Sequence, residues 1–99
     1  MINASVAVQI LPKAENDAEV VRIVDEVIAY IQSFNVKYFV GPFETVIEGD
    51  YEELMQIVKG CHEIAVRAGA ESLMSYIKLC YKPAGGILTI EEKTDKYHR

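Results

Sequence analysis

The sequence predicts a single α+β domain: a four-stranded antiparallel sheet, two helices on one of its faces, and a short C-terminal strand. Three observations predict it. Residues 4–11, ASVAVQIL, set Val6, Val8 and Ile10 against Ser5, Ala7 and Gln9, a period of two that belongs to a strand with one apolar face. Two longer stretches carry apolar residues at helical spacing. Between them, KYFVGPFETVIEGD at 37–50 sets two runs rich in Tyr, Phe, Val, Ile and Thr on either side of Gly41-Pro42, which reads as a hairpin.

Pro12 ends the first strand. Asn16 then caps a helix, with Glu19 at the capping-box position, and Val20, Val24, Val27, Ile28 and Ile31 form its stripe to about Phe34, with Asn35 as the stop. The hairpin runs to Gly49, where Asp50 is the expected N-cap of the second helix and Glu53 its capping-box partner. Leu54, Ile57, Val58, Cys61, Ile64, Ala65 and Ala68 make the second stripe, and Gly69 stands where a left-handed C-terminal residue belongs. Gly60 inside that helix costs up to about 1 kcal/mol relative to Ala, so it marks close packing against a neighbour. A fourth strand, roughly Ser72–Tyr81, alternates Leu73, Ser75, Ile77, Leu79 and Tyr81 against Met74, Tyr76, Lys78 and Cys80. Pro83 and Gly85-Gly86 break the chain, and Ile87–Ile90 is expected as a fifth strand before the tail EEKTDKYHR. Strand, helix, strand, strand, helix, strand is the split βαβ order of a ferredoxin-like sandwich. Its helix-free face would carry Ala7, Met74, Tyr76 and Phe39 or its neighbours, too apolar to stay wet. That face, or an edge extended by the fifth strand, is expected to bind a second subunit.

The 99 residues suffice for one hydrophobic core without disulfides or metal, and 51% hydrophobic with 25% charged residues is ordinary for a soluble globule. A net charge of −5 argues against nucleic acid or an anionic membrane as partner. No basic leader or long apolar run is present, and Cys61 and Cys80 show no redox or metal spacing. The expected setting is the cytoplasm, with reduced thiols.

Function has to come from residues, because many unrelated proteins share this fold. Metal-carrying versions need a CxxC in the first loop, which here reads PKAEND. RNA-reading versions need aromatic and basic residues on the third strand, which here reads FETVIEG. Acyl-phosphate hydrolysis needs an arginine cradle, yet the arginines are Arg22 and Arg67 on helices and Arg99 at the end. Cys61 and His62 are adjacent on a helix and point about 100° apart, so Cys61 reads as core filler and His62 as a surface residue. No nucleophile, base and orienter assemble, so an enzyme is not expected.

Glu44, Thr45 and Glu48 remain. They are either a solvated or interface-facing row or part of a small-molecule pocket. In the second reading a carboxylate favours a cation, the hydroxyls of Ser5 and Thr45 supply donors and acceptors, and Tyr38, Phe39 or Tyr76 supplies an aromatic wall. Strict alternation puts Thr45 and Glu48 on opposite faces of one strand. Both line one pocket only if the strand twists sharply near Gly49 or the pocket lies between subunits.

AVQILP in the first strand, then KYFVGPFETVIEGDYEELMQIVKGCHE, then YKPAGGILTIEEKTDKY span nearly the whole chain. In that order and spacing they resemble the small thiamine-binding protein family, similar in turn to one half of the two-repeat Ykof-type thiamine and hydroxymethylpyrimidine binders. Its hallmark is the T-x-x-E-G segment Thr45–Gly49, with Thr89–Lys93 matching as well. The resemblance implies a ferredoxin-like fold, assembly into a homodimer or homotetramer, and non-enzymatic binding of thiamine or its hydroxymethylpyrimidine moiety without a further cofactor. Of the site residues, Thr45 and Glu48 follow from the motif; Ser5, Tyr38 and Tyr76 follow from strand position. The competing expectation is a regulatory or assembly module whose main role is oligomerisation or binding another small effector.

Overall fold

The computed structural model describes residues 2–98. Its elements are β1 (Ala4–Pro12), α1 (Asp17–Gln32), β2 (Lys37–Val40), β3 (Thr45–Gly49), α2 (Tyr51–Arg67), β4 (Leu73–Tyr81) and the short helix α3 (Ile90–Thr94), followed by a single 3-10 turn, Asp95–Tyr97. The sheet order is β2-β3-β1-β4, antiparallel throughout. This is the expected ferredoxin-like sandwich, with β1 at the centre because its alternation lets one face pack on helices.

The registers fix which side chains share a face. Val6 lies opposite Ile47 on one side and Leu79 on the other, and Val8 opposite Thr45 and Ile77. These residues face α1 and α2. Val6, Ile47, Leu54, Ile57 and Cys61 are fully buried, with Ile23, Val27 and Ile31 from α1 closing the core. Ile23 rather than Val24 leads the α1 stripe, so the buried line is one residue earlier than the spacing suggests.

Helix termini use partners near and far. The Asn16 side chain accepts the Glu19 N–H at 2.9 Å, but the Glu19 carboxylate turns to Arg22 instead of closing a capping box. Helix α1 stops at Ser33, not Asn35, with the Ser33 hydroxyl and N–H on carbonyls of the last turn. Asp50 stands at the N-cap of α2 without a side-chain cap bond. Asn3 Oδ1 takes the Tyr51 N–H at 2.9 Å instead, from the adjoining end of β1. At the far end Gly69 has φ +121, the left-handed conformation that ends helices at low steric cost. Gly60 lies against Tyr30, whose ring and hydroxyl occupy the space a Cβ would need.

His62 is corrected by the structure. It is half-buried, and its Nε2 lies 2.8 Å from the Ser75 hydroxyl of β4. Cys61 is core filler as expected, and burial pushes its thiol up to about 12. Tyr51 and Tyr81 stack with ring centroids 4.2 Å apart, tying the start of α2 to the end of β4. Beyond that clamp β4 is thinly covered. Ile77 and Leu79 stay exposed on the helix face, and Met74 and Tyr76 on the other.

The expected fifth strand at Ile87–Ile90 is a helix start instead. Gly85 and Gly86 both have positive φ, 84° and 82°, and lead the chain away from the edge of β4. Thr89 then accepts the Glu92 N–H while the Glu92 side chain accepts the Thr89 N–H. That capping box nucleates α3 where strand pairing would need an extended chain. No helix of the described residues is long and apolar enough to cross a membrane.

Candidate functional site

The site is built on the sheet face away from α1 and α2. Two transverse rows follow from the registers: Lys37, Glu48, Ser5 and Cys80, then Phe39, Val46, Ala7 and Lys78. Tyr76, Met74 and Leu11 extend this face toward the far end of β4. It carries Ala7, Met74 and Tyr76 as the alternation predicts, and of the alternatives on β2 it carries Phe39.

The C-terminal segment crosses this face. Lys82 donates its N–H to the Asn3 carbonyl, the glycine pair turns the chain, and α3 lands over the β3 end. Ile90 is buried, and its N–H donates to Glu48 Oε2 at 3.0 Å. Glu91 pairs with Lys37, and the His98 ring lies near Phe39. The Thr94 hydroxyl closes back on the Ile90 carbonyl at 2.8 Å. Thr89, through its backbone N–H and hydroxyl, holds the Glu92 carboxyl below the usual carboxylate range.

Beside α3 lies a recess of about 240 Å³ lined by Ser5, Ala7, Val46, Lys78, Cys80 and Lys93. Glu48 adjoins it through Ser5, its cross-strand neighbour. A second recess of about 260 Å³, lined by Glu48 itself with Ile2, Lys37 and Asp50, opens on the other side. Either is smaller than the roughly 300–1,000 Å³ of an ordinary ligand site; the first lies on the helix-free face, the second at the end of the sheet beside the first turn of α2.

Glu48 is 2% exposed and Ser5 7%. A buried carboxylate is costly unless a cation or hydrogen-bond donors compensate it. Among the described residues Glu48 has no ion-pair partner: Lys37 turns to Glu91, and Lys78 pairs with Glu44 at 3.0 Å. The Glu48 carboxylate accepts the Ile90 amide N–H. The arrangement can hold a hydrogen-bonding or cationic group. Among the described residues no three His, Cys, Asp or Glu gather as a metal would need.

Of the five residues expected from the sequence, Ser5 and Glu48 are cross-strand neighbours on one face, and Tyr76 shares their face farther along β4, opposite Gln9. Thr45 and Tyr38 do not join them. Thr45 faces the helices, 6% exposed, and lines a narrow gap of about 90 Å³ with Val8, Val27, Ile31 and Gly41. Tyr38, opposite Ile47, lies on the same side at the outer strand. The structure adds Lys78, Cys80 and Lys93, which the sequence reading left out. The alternation of β4 already grouped Lys78 and Cys80 with Tyr76; Lys93 arrives only because the tail folds back.

Comparison with known proteins follows the same lines. The profile of the thiamine-binding protein family matches residues 6–98. A UPF0045 protein of Clostridium perfringens is 43% identical over 97 residues, 98% of this chain and 99% of that one. A candidate thiamine biosynthesis/salvage protein of Thermotoga maritima superposes with a TM-score of 0.84 at 37% identity, covering 96% of this chain and 98% of its own. A domain of unknown function from Bacillus cereus gives 0.86 at 36% identity, over 96% of this chain and 89% of that one. The chain therefore belongs to the thiamine-binding protein family.

Proposed function

We propose that this protein binds thiamine, or its hydroxymethylpyrimidine moiety, without transforming it, on the open sheet face around Ser5 and Glu48. The observation that carries this reading is the buried Glu48 carboxylate, which has a hydroxyl neighbour and no ion-pair partner among the described residues. A thiazolium would supply the opposite charge and an aminopyrimidine the N–H donors, with Phe39 the nearer aromatic side chain on the same face and Tyr76 farther along β4. Membership of the thiamine-binding protein family supports this ligand, and likeness to a candidate thiamine biosynthesis/salvage protein of Thermotoga maritima agrees with a thiamine-related role. The recess is shallow, and β4 exposes Met74 (63%) and Tyr76 (55%) beside it. Both features favour a homodimer or homotetramer in which a second copy supplies the missing wall.

Thermal-shift titration tests the reading. A ligand at a hundredfold excess over Kd stabilises by about 2.7 kcal/mol, or roughly 10–20 °C for a domain of this size. Thiamine or hydroxymethylpyrimidine is expected to give that rise, and amino acids and nucleotides none. Glu48→Gln is expected to weaken thiamine more than the neutral pyrimidine if the carboxylate meets the thiazolium; equal losses assign it to the pyrimidine. No response to either ligand at millimolar concentration would favour the assembly module, which the exposed apolar side chains of β4 support as the second reading.

A further inference from the structure

The tail explains how Glu48 is kept dry, and that has a functional cost. At 2% exposure the carboxylate offers a ligand almost no surface while α3 lies on it. From the geometry we infer that the segment 82–98 is a displaceable strap, hinged at Gly85-Gly86, that occupies the Glu48 carboxylate until a ligand claims it.

The segment has the features of an element that opens locally. Helix α3 has five residues, too few to be helical alone in water, so its order comes from docking. Docking rests on the buried Ile90 side chain, the Ile90 N–H on Glu48, the Lys37–Glu91 pair and the Phe39–His98 contact. Lys37, Glu91, Phe39 and His98 are all partly or well exposed, so the pair and the ring contact hold weakly. The two positive-φ glycines supply a joint at which the backbone can swing. Lys93 forms part of the recess wall, so lifting the strap both uncovers Glu48 and widens the recess. The inference rests on the reading that the ligand meets Glu48.

A strap that must leave before binding multiplies the intrinsic affinity by the open fraction, raising the apparent Kd. Weakening it should therefore tighten binding. Ile90→Pro deletes the amide that Glu48 accepts while suiting the first helical position, and Thr89 is already extended (ψ 167°) as a pre-proline residue must be. Ile90→Ala keeps the amide and removes the buried side chain. Both variants are expected to bind thiamine about tenfold more tightly in calorimetry, chiefly through faster association. In the ligand-free native chain, the Ile90 amide is expected to exchange with solvent at least about a hundredfold faster than the amides of Val6 and Ile47, by local opening.

Exchange at Ile90 as slow as in the core would overturn the strap. Unchanged or weaker thiamine binding in both variants, against normal binding by the native chain, would overturn it too. Fast exchange at Ile90 with no thiamine bound by any of the three chains would keep the strap and reject thiamine as the ligand.

Discussion

Replacing Asn3 by Ala is the sharpest test of how the first turn of α2 is held. The Asn3 side chain is buried, and its Oδ1 takes the Tyr51 N–H at 2.9 Å. Its backbone N–H and carbonyl are engaged separately, with Gly49 and Lys82, so the substitution removes the side-chain bond alone. A lost helix cap costs about 0.5–2 kcal/mol, and a buried donor left without a partner about 1–3 kcal/mol. Taking about 2 kcal/mol, the Tm falls by roughly 8–16 °C. Asp50, the residue at the N-cap position, makes no cap bond. Asp50→Ala forfeits only its interaction with the helix dipole, about 0.5 kcal/mol, or a few degrees. Urea denaturation and calorimetry on both variants, with Asn3→Asp restoring the acceptor, measure the contrast. An Asp50→Ala loss equal to or larger than that of Asn3→Ala would refute the assignment.

Two further expectations concern the core. Gly60→Ala should destabilise by about 1–2 kcal/mol, because overlap with Tyr30 outweighs the roughly 1 kcal/mol of helix propensity gained; in a Tyr30→Ala background the same change should stabilise, as chemical denaturation would reveal. Cys61 has its folded value raised from 9.0 to about 12 by burial, so the unfolded chain loses that proton first. Stability should therefore decline between about pH 9 and 12, with a slope from this group approaching 1.4 kcal/mol per pH unit, and Cys61→Ser should flatten it. A thiol reagent at pH 8 should label Cys80 alone in the native protein and both cysteines in denaturant.

The sandwich was legible because local pattern and tertiary burial agree in its main elements. The alternation of β1 and the stripes of α1 and α2 each describe one buried face, and Gly69 and Pro12 stand at real element ends. The C-terminal segment reads as a strand because Ile87-Leu88-Thr89-Ile90 is rich in β-branched and apolar residues, yet it leads into a helix. Its helix signal, Thr89 followed by Glu92 three residues on, was present in the sequence and outweighed by that composition. Asn3 capping α2 from 48 positions away leaves no local trace. The candidate site was half legible. Period-two reasoning puts Thr45 and Glu48 on opposite faces of β3, as the structure has it, but only the register shows that Ser5 shares the face of Glu48 and not that of Thr45. Alternation cannot say which of the two faces of β2 meets the helices, so Tyr38 was grouped with residues it does not join.

The stacked pair formed by Tyr51 and Tyr81 has an experimental consequence. The chain has no tryptophan and six tyrosines, so two stacked phenol rings at 4.2 Å, inclined by 22°, are a natural source of excitonic near-ultraviolet dichroism. The signal belongs to the seam between the first turn of α2 and the last residue of β4. Peeling of that strand would extinguish it while the far-ultraviolet helix bands persist, giving an intrinsic optical reporter that needs no label.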